Sequence, residues 1–571
     1  MKQRFYIILL AIMAIFVPLL VQAHDFEVGG IYYKITGGNE VAVTYMGNDY
    51  ESMAYYGELE IPKWVNYRGV TYNVTAIGDY AFYYCYAMTS LTLPNSITTI
   101  GKRAFMYCNN LIKINIPTSV TTIDDYAFVY CMRLPSVIIP NSVTTIGKYA
   151  FYLCQELKRV YIGNSVTAIG EYTFYGCSSL SNLTIGTSVT SIGVMAFFEC
   201  CSLSSVTLPG SVTSIGNHAF SSCSSLTSLT LPNTVTTIGN YAFNGTSLTS
   251  MTIPSSVTTV GYNPFLNCSS LASIIVESGN LKYDSREGCN AIIETSTNTL
   301  IAGCMNTTIL SSVTAIEESA FQGCTGLTSV ILPSSVTSMV ENPFEFCSGL
   351  TSMTVESGNP KYDSREGCNG IVETATNTLI AGCVNTTIPR SVGAIGGLAF
   401  AGCSGLTDVT IPGWITTIGY YAYSYCDRLS RVTIPASVKT IEYHAFEECY
   451  SLTDVYSYIP SPADISMGKD VFILYDDGYS GRTLHVPAGT LASYQGDTNW
   501  YPYFGNIVEM ESAPDVPGDV NGDGTVNISD INNIINAILD SGTEYNGLND
   551  VNGDGTVNIS DINAIIAIIL K

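Results

Sequence analysis

Two periods are superposed in the hydrophobic and polar positions of this chain. The shorter is two residues: runs such as Leu91-Thr92-Leu93-Pro94 alternate apolar with hydroxyl side chains, as a half-buried β-strand does. The longer is 23 residues. With the isoleucine of V-T-x-I-G as anchor, it recurs at Ile77, Ile100, Ile123, Ile146, Ile169, Ile192, Ile215 and Ile238. Val260 follows after 22 residues, and Ile316, Met339, Ile395, Ile418 and Ile441 complete 14 units. Two of the steps are 56 residues, one unit plus an insertion of 33. Five residues past each anchor stands an aromatic, Phe in every unit except that of Tyr423. Eight past it stands a cysteine in 13 of the 14 units, with Thr246 in the other.

One such coil cannot bury its own apolar face, but stacked coils bury a continuous one. The pattern predicts a repeat solenoid over 74–456, made of parallel β-sheet coils with short helical turns. The leucine-containing run is one strand, V-T-x-I a second, and the Y-A-F-x-x-C stretch the helical turn. The insertions, near 277–309 and 356–388, are near-copies. Each joins K-Y-D-S-R-E-G-C-N to a hairpin-like I-x-E-T-x-T-N-T-L-I-A-G-C. They are expected to form β-hairpin flaps on the stack, the alternative being variant coils. The ends of a solenoid need covering; residues 24–73 and 457–511 read as the N- and C-terminal caps, and 512–518 as a linker.

Charge narrows the function. With 23 basic against 47 acidic residues the chain carries a net −24, and no run of four cations occurs in the sequence. The phosphate-neutralising footprint of a nucleic-acid binder is therefore not expected. Residues 1–23 read as a signal peptide: Lys2 and Arg4, an apolar run from Phe5 to Val21, then Val21-Gln22-Ala23 as cleavage pattern. The expected mature chain starts at His24, is exported to the extracellular space or bacterial cell surface, and keeps no transmembrane span.

Eighteen cysteines in an exported chain raise the question of disulfides. Thirteen share one repeat position, where side chains stack like any other core ladder, so buried thiols are expected there. Cys289 with Cys304, and Cys368 with Cys383, instead flank a turn, which leaves a cross-hairpin bridge open in each. Tyr84, Tyr107 and Tyr130 share one position, and Tyr420, Tyr421, Tyr423 and Tyr425 cluster later. They form either a ligand-binding stripe or an edge packing over the coils, and the packing reading is favoured. His24, His218, His444 and His485 are scattered, and no nucleophile-elbow, zinc-helix or phosphate-loop motif occurs. No enzyme activity is expected.

The sharpest motif lies at the C-terminus. Asp519-Val520-Asn521-Gly522-Asp523-Gly524-Thr525-Val526-Asn527-Ile528-Ser529-Asp530 recurs almost unchanged at Asp550–Asp561. Calcium takes hard oxygen ligands at loop positions 1, 3, 5, 7, 9 and 12, with glycine at 6 for the turn. The expected ligands of the first Ca2+ are Asp519, Asn521, Asp523, the Thr525 carbonyl, Asn527 and Asp530. Those of the second are Asp550, Asn552, Asp554, the Thr556 carbonyl, Asn558 and Asp561. Each loop leads into an amphipathic helix, with Ile531, Ile534, Ile535 and Ile538 on one and Ile562, Ile565, Ile566 and Ile569 on the other. Residues 519–571 are thus a small α-helical pair of half EF-hands.

The 23-residue unit resembles the BspA-like class of bacterial leucine-rich-repeat surface proteins, and the loop–helix pair resembles a type I dockerin. The first resemblance implies a surface-exposed binding solenoid. The second implies calcium-dependent docking to a cohesin-like partner. Loop positions 10 and 11 depart from that family's frequent pair of hydroxyl residues, being Ile528-Ser529 and Ile559-Ser560. The leading expectation is a secreted or cell-surface, non-catalytic protein whose solenoid recognises a protein or glycan ligand. The alternatives are a targeting component of a cellulosome-like polysaccharide-degrading assembly and a cryptic glycoside hydrolase.

Overall fold

A computed structural model describes residues 23–46, 55–475, 481–510, 528–539, 551 and 556–569. The chain divides into two compact units, residues 1–375 with 381–387, and residues 376–380 with 388–571.

In the first unit the anchors of successive coils pair residue for residue in parallel strands. Ile77 faces Ile100, then Ile123 and Ile146; farther on, Ile169 faces Ile192, Ile215, Ile238 and Val260. Register is fixed because a one-residue slip would turn each buried isoleucine outward. The second strand of the coil pairs likewise, as Ser136–Ile139 does with Arg159–Ile162 and then Asn182–Thr184. Ahead of the first coil, Phe26–Val28, Ile31–Gly37 and Glu40–Thr44 pair antiparallel, and the last of these joins Val70–Ile77 in parallel.

The segment expected to be a helical turn is a chain of β-turns with two left-handed residues. Tyr80 and Tyr84 both have φ near +58°, and the same positions in the next coils are Arg103 and Tyr107, then Tyr126 and Tyr130. The reason lies in where the amides go. Those of Ala81, Tyr83 and Cys85 bond back within their own coil, to Gly78, Tyr80 and Phe82. Those of Tyr80, Phe82 and Tyr84 bond forward to the carbonyls of Lys102, Ala104 and Met106, at 2.8–2.9 Å. A helix would keep all six amides to itself. The left-handed positions cost roughly 1–2 kcal/mol each, and the inter-coil bonds together with ring stacking offset this.

Inside, Phe82, Phe105, Phe128, Phe151 and Phe174 are wholly buried and stack with centroids 4.9–5.3 Å apart. The ladder cysteines lie beside them as thiols. Cys108, Cys131, Cys154, Cys177 and Cys200 are fully buried. Each donates its S–H to the carbonyl of the preceding coil's Phe at 3.0–3.3 Å. Burial pushes the Cys177 thiol up to about 12, so it stays protonated and unreactive.

The insertions are coils of the stack and not flaps. In the first, Tyr283–Asp284 pairs antiparallel with Ile292–Glu294, which pairs antiparallel with Thr299–Ala302, which in turn runs parallel to Ala315–Ile316. Ile292, Ile293, Leu300 and Ala302 are buried, so the hairpin is covered on both faces and belongs to the core. Where the insertion displaces the next strand, the Tyr283 hydroxyl accepts the otherwise unpaired Val260 amide at 3.2 Å, and Tyr362 does the same for Met339. No disulfide crosses either hairpin. Cys289, Cys304, Cys368 and Cys383 are buried thiols, and the Cys304 and Cys383 thiols point at the Asn290 and Asn369 carbonyls.

In the second unit Ile395, Ile418, Ile441 and Met467 continue the same pairing. A core ladder of Phe400, Tyr423, Phe446 and Phe472 ends against Trp500 and Phe504. Beside it the buried Arg482 guanidinium donates to the Leu452, Phe472 and Cys449 carbonyls at 3.1, 2.5 and 2.8 Å. Two helices, Ile528–Leu539 and Ile559–Ile569, pack through Ile534 and Ile565.

Candidate metal centre and ligand surfaces

Each C-terminal helix starts where its loop motif ends. Asp530 and Asp561 are the third residues of the two helices, and both are fully buried. At the second loop the bonding is explicit. Asn558 precedes the helix, and its side-chain oxygen accepts the Ser560 amide and hydroxyl, both at 2.8 Å. Asp561 returns a carboxylate oxygen to the Asn558 amide at 2.9 Å, a reciprocal helix cap. The Asn558 side-chain amide binds Thr556 through its carbonyl and hydroxyl.

A carboxylate buried in so small a module is costly unless it is hydrogen-bonded or metal-bound. Two of them at equivalent loop positions fit a hard divalent cation. Of the expected ligands, Asp530, Thr556, Asn558 and Asp561 fall within the described residues. Asp519, Asn521, Asp523, Thr525, Asn527, Asp550, Asn552 and Asp554 lie outside them. Among the described residues no group of three or more His, Cys, Asp or Glu is placed to hold a metal ion.

The tyrosine positions form ladders rather than an open platform. Tyr84 stacks on Tyr107 and Tyr107 on Tyr130, with centroids 4.5 and 5.0 Å apart and planes within 9° of parallel. A second series runs Tyr126, Tyr149, Tyr172. Ring faces that a sugar would stack on are taken by neighbouring rings, which leaves edges and hydroxyls to the solvent. Tyr423, grouped by sequence with Tyr420, Tyr421 and Tyr425, is buried in the core ladder.

The histidines stay apart in separate structural contacts. His218 lies on Tyr241, His444 on Tyr421, and His485 on Tyr456, where its Nε2 is 2.8 Å from Asp454. That contact holds the Asp454 carboxyl below its ordinary range.

Sequence reasoning missed the polar cluster beside the first insertion. A cavity of about 290 Å³ there is lined by Tyr262, Lys282, Tyr283, Glu294, Glu317 and Glu318. Nearby, Glu345 is 7% exposed and accepts the Ser319 hydroxyl at 3.3 Å; burial raises its carboxyl to about 7. The signal lay in the near-copy, where Gly396-Gly397 stand in place of Glu317-Glu318.

Comparison with known families bears on these features. A family model described as BspA type leucine rich repeat region (6 copies) matches residues 75–200, 192–297, 301–366 and 380–472. The chain belongs to the BspA-type leucine-rich-repeat family. A dockerin type I domain model matches residues 517–570, so this BspA-type protein carries a dockerin at its C-terminus. Both are non-catalytic binding modules, and the dockerin type I domain is calcium-binding.

Solved structures similar to this BspA-type chain include a leucine-rich repeat protein from Bacteroides ovatus, 26% identical, with 76% of this chain and 94% of that one covered at a TM-score of 0.47. A leucine-rich cell surface protein from Faecalibacterium prausnitzii is 29% identical, with 77% and 96% covered at a TM-score of 0.44. The family assignment rests on the sequence model and not on these superpositions. No curated protein matches the chain. Among the described residues no helix is long and apolar enough to cross a membrane.

Proposed function

We propose that this chain is an exported, non-catalytic recognition protein with two arms. The solenoid, residues 74–456, binds a protein or glycan on the cell surface or in its surroundings. The module at 519–571 folds around two Ca2+ ions and docks to a cohesin-like domain. The observation that carries the reading is the joining of a long repeat surface to a duplicated calcium loop whose closing residues, Asp530 and Asp561, are buried at matching helix starts.

The docking face has support of its own. Ile559, at loop position 10, is 71% exposed, and Ile538, Ile566 and Ile569 are also exposed. Apolar side chains left outside so small a pair of helices fit a protein partner.

The test is binding of the full chain to immobilised cohesin domains, with millimolar calcium and with chelator. Binding that needs calcium is expected. Failure to bind any cohesin while the module holds two calcium ions, counted by calorimetric titration, would remove the docking arm and leave the metal sites. An array of glycans and matrix proteins reads the other arm.

A further inference from the structure

The exposed face formed by the second strands of the first unit's coils, which pair in several short sheets, changes chemistry along the stack. Its outward column starts at Glu58, which pairs with Ser90 and is followed by Lys113. Ser136 and Arg159, the same repeat position in the next coils, pair with each other, and Asn182 follows. Farther on that position is Ser205, Ser228, Ser250 and Ser273. The neighbouring column runs from Glu60 through Thr92 and Asn115 to Ile138, Tyr161 and Thr184. Lys113, Arg159, Ile138 and Tyr161 are exposed, Ile138 by 68%. Arg133 and Lys158 are exposed at the entrance to the same strands, with Glu156 the acid among them.

This concentration runs against the whole chain. Residues 102–159 hold seven basic and three acidic residues, in a chain with 23 and 47; four of the seven, Lys113, Arg133, Lys158 and Arg159, belong to this face, while Lys102, Arg103 and Lys148 lie in the turns after the anchors. In sequence the cations are dispersed, and the 23-residue period brings them together. The ion pair of Lys148 with Glu171 lies outside the patch.

From this placement we infer that the sheet face around Lys113, Arg133, Lys158 and Arg159 binds a linear anionic polysaccharide, one carrying carboxylate or sulfate groups. The inference deepens the reading of the solenoid as the ligand-binding arm and rests on it. Three observations favour a polysaccharide over an acidic protein segment. Lys113 and Arg159 are two coils apart, roughly 10 Å at the spacing of neighbouring strands, so they meet charges repeated along a straight polymer. Ile138 and Tyr161 lie between and beside them, and Tyr161 offers a ring on the sheet face where sugar rings can pack. The strands from Ser136 to Thr184 pair with one another, and the two edges of that short sheet face the coils before and after it in the stack, which leaves no open edge for an extended peptide.

The experiment uses the full chain in calcium, with polygalacturonate, chondroitin sulfate, an uncharged dextran and poly-glutamate as probes, at low and at physiological salt. The expected result is binding to at least one anionic polysaccharide, weakened by salt and absent for dextran. Lys113→Gln with Arg159→Gln should weaken it by about ten-fold or more. Lys439→Gln, an exposed lysine in the second unit, should leave it unchanged, and circular dichroism should show all variants folded. Poly-glutamate bound as tightly and lost in the same double variant would overturn the inference in favour of an acidic protein. Binding untouched by the double variant, or absent from both polysaccharides at low salt, would also overturn it. Dextran or a matrix protein bound in either of those cases would keep the solenoid as a ligand-binding arm while this face is rejected.

Discussion

The solenoid and the C-terminal module are held together by opposite means. The coils from Ile77 to Ile238 send half of their turn amides into the next coil and stack buried rings on their neighbours', so cohesion there is distributed along the chain. The described core of the module consists of Ile534 and Ile565, with Ile531, Val551, Val557 and Ile562 partly buried around them. A module of that size buries too little to be stable on apolar contacts alone. The solenoid's cohesion calls on no ligand, whereas on the proposed reading the module's fold depends on bound calcium, as a connector that assembles only where calcium is present would require.

Calcium removal is the largest expected break between the two. Each proposed site, at a thousand times its dissociation constant, would add about 4 kcal/mol of folding stability by mass action. Calorimetry of the full chain should show a transition that disappears in chelator and a solenoid transition that does not move. Asp523→Ala and Asp554→Ala, each removing a central ligand, should lower the first transition and spare the second. Equal shifts of both transitions would erase the contrast.

A second perturbation asks whether the solenoid's cohesion is as distributed as its pattern suggests. Arg482 is a single buried guanidinium holding three carbonyls at the last coils. Arg482→Met keeps the stem and removes the donor from the Leu452 and Phe472 carbonyls, while the Cys449 carbonyl keeps the Leu452 amide, at about 3 kcal/mol. Thermal melts should show this loss in the transition that survives chelator, and an unchanged melt would mean that water takes over the carbonyls.

What the sequence made legible follows from what repeats. The anchors from Ile77 to Ile441 and the aromatic five residues on announce the stack, because each has one job in every coil. The turn was misread as helical because its left-handed positions hold Tyr80, Tyr84, Arg103 and Leu153. Four coils do carry glycine at the second of these positions, Gly176, Gly245, Gly323 and Gly402, and that was the signal to read; in the other coils the inter-coil bonds impose the conformation on other residues. The insertions declared their burial only through Ile292-Ile293, two adjacent apolar residues that no exposed flap would need. The calcium loops were legible because metal chemistry fixes both residue type and spacing. The cation patch was not, since its members are brought together only by the coil period.

Acidity supplies a smaller test inside the solenoid. The Glu345 carboxyl has an ordinary value of 4.5 and is raised to about 7 by burial. Between those values the folded protein holds a proton that the unfolded chain has released. This contribution to stability is therefore complete below about pH 4.5 and is lost as pH rises through 7. At pH 8 it should leave the first unit about 2 kcal/mol less stable than at pH 5. Glu345→Gln should flatten that slope and raise the melting temperature at pH 8; a slope unchanged by the variant would place its origin elsewhere.

The smallest expected effect decides what the cysteine ladder contributes. Cys154 is fully buried and donates to the Phe128 carbonyl at 3.2 Å, a carbonyl that also accepts the Cys131 amide. The weak S–H bond is thus a second bond to an acceptor already satisfied, and its loss alone is cheap. Thr246, the one departure from cysteine, keeps a donor at the position: its hydroxyl binds the Phe243 carbonyl at 2.8 Å and lies 3.3 Å from the Cys268 sulfur. If the position requires a small side chain that can donate, Cys154→Thr should be within about 0.5 kcal/mol of the parent. The equally sized Cys154→Val should then be worse than Thr by about 1 kcal/mol. If only volume counts, Val should match or exceed Thr. Denaturing alkylation without reductant completes the comparison, since Cys108, Cys131 and Cys154 should all be modified. A disulfide between any neighbouring pair would show that the ladder is a set of crosslinks, and the solenoid would then share the module's dependence on its surroundings.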